Sequence, residues 1–389
     1  MKLTIERTAL KTAVDVANQA VAKKYTLFVT SCLLLEADAR TGVLTVTGTD
    51  LEIRMSRAAS ATIEKPGACC VAASTFAALV AGLSDGLVRL EMVGSQLQIT
   101  SGVARAKLST VSADDYPPAA QLLDDPDAVT RLTVDGSALT AASGRVSYAA
   151  ATNKNRPVLT GILWQIKPGE LAMAAADGFR LAVVRLPAET QSTKDVIVPA
   201  RAMGMIEKIA KADECDVAIA RGWLILTAGE TTLRTTLLEG SFPNYQQLIP
   251  QDGKCILSLS ARELAAALDF IEPLAGGRSD NGMSYRSLLV LAEDGLHVLA
   301  PKTQDGDAET MIAAMPSSNE RPYLAIERGY LLDAVRSLPN DRALIAWTSQ
   351  SGPLRLTADA DDTYVHVIMP LFINDWPAIM ARIAERVAT

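Results

Sequence analysis

The chain has 389 residues, 49% of them apolar and 21% charged, with a net charge of −7. That length exceeds what one hydrophobic core serves, so two or three domains are expected, and the apolar share excludes a disordered chain. The negative balance excludes a generally adhesive polycation, while leaving room for a local basic surface, because a sum carries no positions.

The first residues, Met1–Lys–Leu–Thr–Ile–Glu–Arg7, alternate charge and apolarity and lack the continuous apolar run of a secretory signal. No stretch reaches the ~20 apolar residues of a transmembrane helix, so a cytoplasmic protein is expected. A strand running into a helix opens the chain at Leu3–Thr–Ile–Glu–Arg–Thr–Ala–Leu10 and recurs at Leu132–Thr–Val–Asp–Gly–Ser–Ala–Leu139 and Leu257–Ser–Leu–Ser–Ala–Arg–Glu–Leu264, a period of about 127 residues. Thr8, Ser137 and Ser260 or Ala261 fall near the helix starts, where short hydroxyl side chains cap orphan backbone N–H groups. Leu10, Ala13, Val14 and Val16–Ala17 give the first helix one apolar face for a sheet to bury.

Other landmarks keep the same period. Strand–turn–strand patterns stand at Leu44–Met55, Met173–Val184 and Leu296–Asp305; second helices follow Val-rich strands near Cys70–Val80, Ile197–Ile206 and Ala325–Val335. Hairpin strands close each copy at Leu97–Thr100, Leu224–Thr227 and Leu354–Thr357. Acidic, Pro-rich linkers lie around Asp114–Asp127 and Ser241–Gly253. The reading is an α+β chain of three repeated domains, residues 1–123, 128–250 and 254–373, with two helices backed by antiparallel sheets in each, followed by a helical extension at 374–389.

The reactive inventory is thin. Five cysteines, two of them adjacent, show no ligand spacing and read as free thiols. His297 and His366 are the only histidines, both alternating with apolar residues as ordinary strand positions do, so no His-based triad or metal cluster is expected. Acidic pairs such as Asp114–Asp115 and Asp361–Asp362 sit in turn-like contexts, and no phosphate loop is present. No cofactor and no metal are expected, which favours a binding protein over an enzyme.

Several stretches in one order carry a resemblance: Met1–Arg7, Thr47–Gly–Thr–Asp–Leu–Glu52, Leu108–Ser–Thr110 with Tyr116–Pro117, Ala176–Asp–Gly–Phe–Arg–Leu–Ala182, Val196–Ile–Val–Pro199, Gly240–Ser–Phe–Pro–Asn–Tyr245 and Val367–Ile–Met–Pro370. With them the chain resembles the bacterial β sliding clamps, the processivity subunits of DNA polymerase III. The resemblance implies a head-to-tail homodimeric ring around double-stranded DNA, held by sequence-independent phosphate contacts. It also implies a hydrophobic pocket that captures short Leu/Phe motifs of the replicative polymerase, the clamp loader and repair proteins. By that likeness the pocket is lined by Leu159, Ala176, Gly178, Phe179, Arg180, Leu181, Pro243, Gln247, Leu248, Val367, Ile368, Met369, Pro370 and Leu371. DNA-facing candidates are Lys11, Lys23, Lys24, Arg145, Lys154, Arg156, Arg201, Lys208, Lys211, Arg262, Arg328 and Arg336, and the subunit interface falls at Ala106, Lys107, Leu108, Ile271, Pro273 and Leu274.

The chain departs from the family in places. Phe179 and Gln247 stand where other residues are usual, and Ala73–Ser74–Thr75 lacks the basic residues common in that helix. The tail continues past the usual end, with Asp375 as an expected N-cap, Pro377 in the first turn, and Ile379, Ile383 and Val387 as an apolar stripe expected to pack on or near the pocket, or elsewhere on the third domain. Two other readings stand beside a clamp: a divergent paralogue that sequesters clamp partners or resists a clamp-directed inhibitor, and an enzyme of unknown type.

Overall fold

The computed structural model describes residues 1–118, 129–153, 155–210, 214–220, 222–251, 253–279, 282–302, 304–347, 349, 351–359, 361–372, 376–377 and 379–381. Each repeat has two α-helices: α1 (Arg7–Asn18) and α2 (Ala73–Gly82), α3 (Gly136–Val146) and α4 (Ala200–Ile209), α5 (Ala261–Ala275) and α6 (Arg328–Arg336). Each follows a strand directly, as the repeated strand-to-helix pattern requires. Leu10, Ala13, Val14 and Ala17 of α1 are buried, joining Leu3, Ile5, Leu33, Leu35, Leu44, Val46 and Phe76 in the first core. Each large side chain taken from water there contributes about 1.5–3 kcal/mol.

The cap expectations are met once. Ser260 Oγ accepts from the Glu263 N–H at 3.2 Å, whereas α1 starts without a side-chain cap. At α3 the carboxylate of Asp135, not Ser137, takes the Ala138 N–H at 2.8 Å, because an acid two residues earlier reaches the same amide.

The chain divides into two compact units, residues 1–140, 166–170 and 187–239 in one, and 141–165, 171–186 and 240–389 in the other. The first holds a 13-stranded sheet in which Ile53–Ser60 of the first repeat pairs antiparallel with Thr231–Thr236 of the second, Leu233 opposite Met55. In the second unit Arg180–Pro187 of the middle repeat pairs with Asp361–Ile368 of the third, Leu181 opposite Val367. The middle repeat is thus shared out between the units because each of its sheets is continued by a neighbouring repeat's strands.

All five cysteines are buried and free, and burial pushes the Cys69 and Cys70 thiols up to about 11 and about 12. His297 bridges Asp294 and Glu309 at 2.9 Å each within its sheet, and His366 is buried in its strand, so both histidines occupy the sheet positions their alternation predicts.

Candidate functional site

The site grows from a turn. Asp177 Oδ1 accepts the N–H groups of Phe179 and Arg180 at 2.9 and 3.0 Å, closing an Asx turn in which Gly178 takes φ 99°. That left-handed backbone suits glycine, and the turn lifts Phe179 to 61% exposure. From Arg180 onward the chain is a strand, so successive side chains go to opposite faces.

One face carries Leu181 and Val367, directly opposite each other, followed by Val183 and Val365. The Phe179 carbonyl accepts the Met369 N–H at 2.8 Å, which keeps the segment after Val367 beside the turn. Gly240, at φ 118°, lies so near Val158 that an added Cβ would come within 2.8 Å of its Cγ1. The buried Tyr245 hydroxyl donates to Gln165 Oε1 at 2.6 Å, anchoring the segment that bears exposed Pro243, Gln247 and Leu248. The same sheet face continues into an open groove of about 870 Å³ lined by Arg185, Gln246, Ile249, Leu344, Arg355 and Val365. Phe179, Leu248 and Met369 are exposed apolar side chains, whereas Leu159, Leu181 and Val367 are nearly buried beneath the surface.

The opposite face changes the expected pocket lining. Ile368 and Arg180 alternate away from Leu181 and Val367, and Ile368 is fully buried, so it belongs to the helix-covered side. Arg180 is spent internally: Nε donates to Asp177 at 3.0 Å, Nη1 to Asp333 of α6 at 2.6 Å and Nη2 to the Tyr148 carbonyl at 2.6 Å. Its guanidinium also lies 4.3 Å from the Tyr330 ring centroid and 5.3 Å from that of Tyr148. A guanidinium so used ties the turn to α6 and to the Tyr148 backbone.

Beneath it, the Tyr148 hydroxyl lies 2.7 Å from that of Tyr364 and 3.1 Å from His366 Nδ1. Burial, with Arg180 adding to it, holds the His366 imidazole down at about 3, and burial pushes Tyr148 up to about 12. Tyr148, Tyr330 and Asp333 carry no signal in the sequence, because each is remote from Arg180 along the chain and none sits in a recognisable motif.

The basic candidates separate by environment. Arg328 is buried, bound to Glu272 at 2.9 Å and Asp269 at 3.6 Å; as the first residue of α6 it turns toward α5 and ties the two helices. Arg336 pairs with Asp269 at 2.7 Å, Arg262 with Asp341 at 3.7 Å, Arg201 with Asp50, and Lys11 with Asp15. Lys23, Lys24, Arg156 and Lys208 are exposed and have no ion pair among the described residues; Arg145 is half-buried. Lys154 and Lys211 lie outside the described residues, as do Asp375, Ile383 and Val387.

At the expected interface, Ile271 is fully buried in the core of α5, since the helical turn that exposes Phe270 carries Ile271 inward. Pro273 and Lys107 are exposed, while Ala106 and Leu108 pack partly on the first core. Strand Ala104–Val111 pairs with Gln96–Ser101 on one side and meets Gly67–Ala72 only through Thr110 and Val111, and strand Glu309–Ile312 ends its sheet. Each unit therefore has an open strand edge among the described residues.

Three models of one family match in succession: DNA polymerase III beta subunit, N-terminal domain, over residues 1–121, the central domain over 133–244 and the C-terminal domain over 246–372. The "Beta sliding clamp" of Staphylococcus aureus is 27% identical over 384 residues, covering 95% of this chain and 99% of the relative. That of Bacillus subtilis is 25% identical over 385 residues, with the same shares covered. Among solved structures, the Bacillus subtilis sliding clamp and the Pseudomonas aeruginosa clamp bound to griselimycin each superpose with a TM-score of 0.89 at 23% identity, covering 96% of this chain and all of theirs.

Proposed function

The chain belongs to the DNA polymerase III beta subunit family and acts as a DNA sliding clamp, and we propose that two copies close head to tail into a ring around double-stranded DNA. The observation that carries this is the unbroken succession of all three family domains along one chain, at the length of the relatives. The open edges at Ala104–Ser109 and Glu309–Ile312 support the closure: a strand edge of one protomer pairing with the other edge of the next makes a heterologous joint that a ring can repeat. Lys107, Phe270 and Pro273 would flank it.

Lys23, Lys24, Arg156 and Lys208 supply unpaired positive charge for phosphates, enough to hold DNA that is already enclosed while leaving it free to slide. The apolar wall of Phe179, Leu181, Leu248, Val367 and Met369 would take a short Leu/Phe motif from the polymerase, the clamp loader or a repair protein. The clamp family is non-catalytic in general, and we assign this chain a tethering role in the cytoplasm without chemistry of its own; among the described residues no helix is long and apolar enough to cross a membrane.

Native mass spectrometry tests the ring: a species of twice 41.3 kDa is expected, together with loader-dependent retention on nicked circular DNA and release after linearisation. A stable monomer that binds motif peptides yet is never retained on circles would overturn it and favour a partner-sequestering paralogue.

A further inference from the structure

We infer that the carboxy-terminal extension is a clasp that fixes one wall of the peptide pocket and presents Phe372 as an additional contact for an apolar peptide; this rests on the pocket proposed above. The family match stops at residue 372, so the family does not account for residues 373–389.

The segment Met369–Phe372 is held at two amides by two different elements. Met369 N–H donates to the Phe179 carbonyl, and Leu371 N–H donates to the Ala325 carbonyl, each at 2.8 Å. Ala325 lies on strand Tyr323–Glu327, and the tail returns to that same strand. The Trp376 ring sits 4.5 Å from the Tyr323 ring, centroid to centroid, and Trp376, Ile379 and Met380 pack with Leu371 on Leu288, Val290, Leu299 and Ala325. Tyr323 and Ala325 are two apart and so share a face of the strand. The grip of the tail and the hydrogen bond that holds the wall therefore fall on one short strand.

Phe372 stands between these anchors, 88% exposed. An apolar ring next to an apolar cluster ordinarily folds onto it; here Leu371 and Trp376 on either side take those places. What remains is an exposed Phe on the same short segment as exposed Met369, one residue past Leu371. Its occupant is the apolar end of the Leu/Phe peptide. Without the tail, Met369–Phe372 would be a chain end, and chain ends fray. A frayed wall must be ordered anew at each binding event, which weakens the complex.

The test uses the full chain, a chain ending at Phe372, and the variants Trp376→Ala, Trp376→Phe and Phe372→Ser. Hydrogen exchange at the Leu371 amide is read without ligand, and affinity is read by anisotropy with fluorescein-labelled Ala-Leu-Ala-Leu-Phe. The truncated chain and Trp376→Ala should exchange Leu371 at least about tenfold faster and bind the peptide about five- to tenfold more weakly, with Trp376→Phe restoring both. Phe372→Ser should weaken the peptide about threefold or more while leaving Leu371 exchange unchanged, a split that general destabilisation does not give. Unchanged exchange in the truncated chain overturns the clasp, and unchanged affinity in Phe372→Ser overturns the contact. If the full chain takes up no peptide, the pocket reading falls and the role of Phe372 with it, while the exchange rates still decide whether the tail clasps the segment.

Discussion

At the start of strand Ile53–Ser60, Asp50 Oδ1 accepts the N–H groups of Glu52 and Ile53 at 3.1 and 2.8 Å, and at the start of Arg180–Pro187 Asp177 does the same for Phe179 and Arg180. The two turns are equivalent points of successive repeats, and each leads into a strand that joins its repeat to the next. The residue after the acid is left-handed in both, Leu51 at φ 81° and Gly178 at φ 99°. Beyond the turn the two junctions diverge. Where the second sets Leu181 opposite Val367, the first sets Arg54 opposite Arg234. Like charges placed so are unfavourable, and aromatic faces offset them: Arg234 lies 3.9 Å from the Trp223 ring centroid and Arg54 5.3 Å from that of Tyr116. Burial, with Arg54 next, lowers the Arg234 guanidinium from its ordinary value. One cross-strand pair thus decides that the second junction, and not the first, shows an apolar wall.

The largest expected effect separates the two ion pairs at these turns. The Arg180 side chain is 11% exposed and its removal leaves nearly buried Asp177 without a counter-charge, so Arg180→Ala should cost about 3 kcal/mol or more in denaturant unfolding. Arg201 is itself half exposed and pairs with Asp50, whereas Arg180 binds two carboxylates, so Arg201→Ala should cost less, about 1 kcal/mol. Equal costs would mean that the two junctions rely on their arginines alike.

Acid should weaken the second junction through His366. Its folded value of about 3 lies below the ordinary 6.5, so above pH 6.5 both states are neutral and nothing is lost. As pH falls from 6.5 toward 3 the unfolded chain binds a proton that the folded chain refuses, and stability declines by about 1.4 kcal/mol per pH unit in that window. The hydrogen-exchange protection factor at Val365, taken against the intrinsic rate at each pH, should therefore fall on acidification more than at Leu233 of the first junction, and His366→Gln should flatten the difference.

The smallest effect concerns the turns themselves. Leu51→Gly should stabilise the chain by up to about 1 kcal/mol by relieving the left-handed strain of a branched residue, and Gly178→Ala should cost about 1–2 kcal/mol in thermal unfolding. An added Cβ at Gly178 meets nothing nearer than Arg156 Nη1 at 3.7 Å, so that cost is one of backbone alone. A neutral outcome at both positions would show that the turns tolerate either residue.

Much of the fold was legible because it is periodic. The spacing of Leu10, Ala13, Val14 and Ala17 marks a helix face whatever surrounds it, and the repeated strand-to-helix units announce three copies of one architecture. The apolar wall around Leu181 and Val367 was legible only by resemblance. Arg180 and Ile368, expected beside them, lie on the opposite strand face, since a one-residue step along a strand reverses a side chain's direction. Arg328 and Ile271 are likewise buried on their helices, where charge or apolarity alone does not say which side is covered.

Local chemistry along the chain determined the Asx turns, the helix faces and the strand alternation, because each depends on residues a few positions apart. Tertiary structure alone decided that Asp333, Tyr330 and Tyr148 would converge on Arg180, that Arg54 would meet Arg234 while Leu181 met Val367, and that Trp376 would dock against Tyr323. Those contacts join residues remote in sequence, and whether they form depends on which strands pair and in what register, a balance of burial over the whole sheet that no single stretch contains.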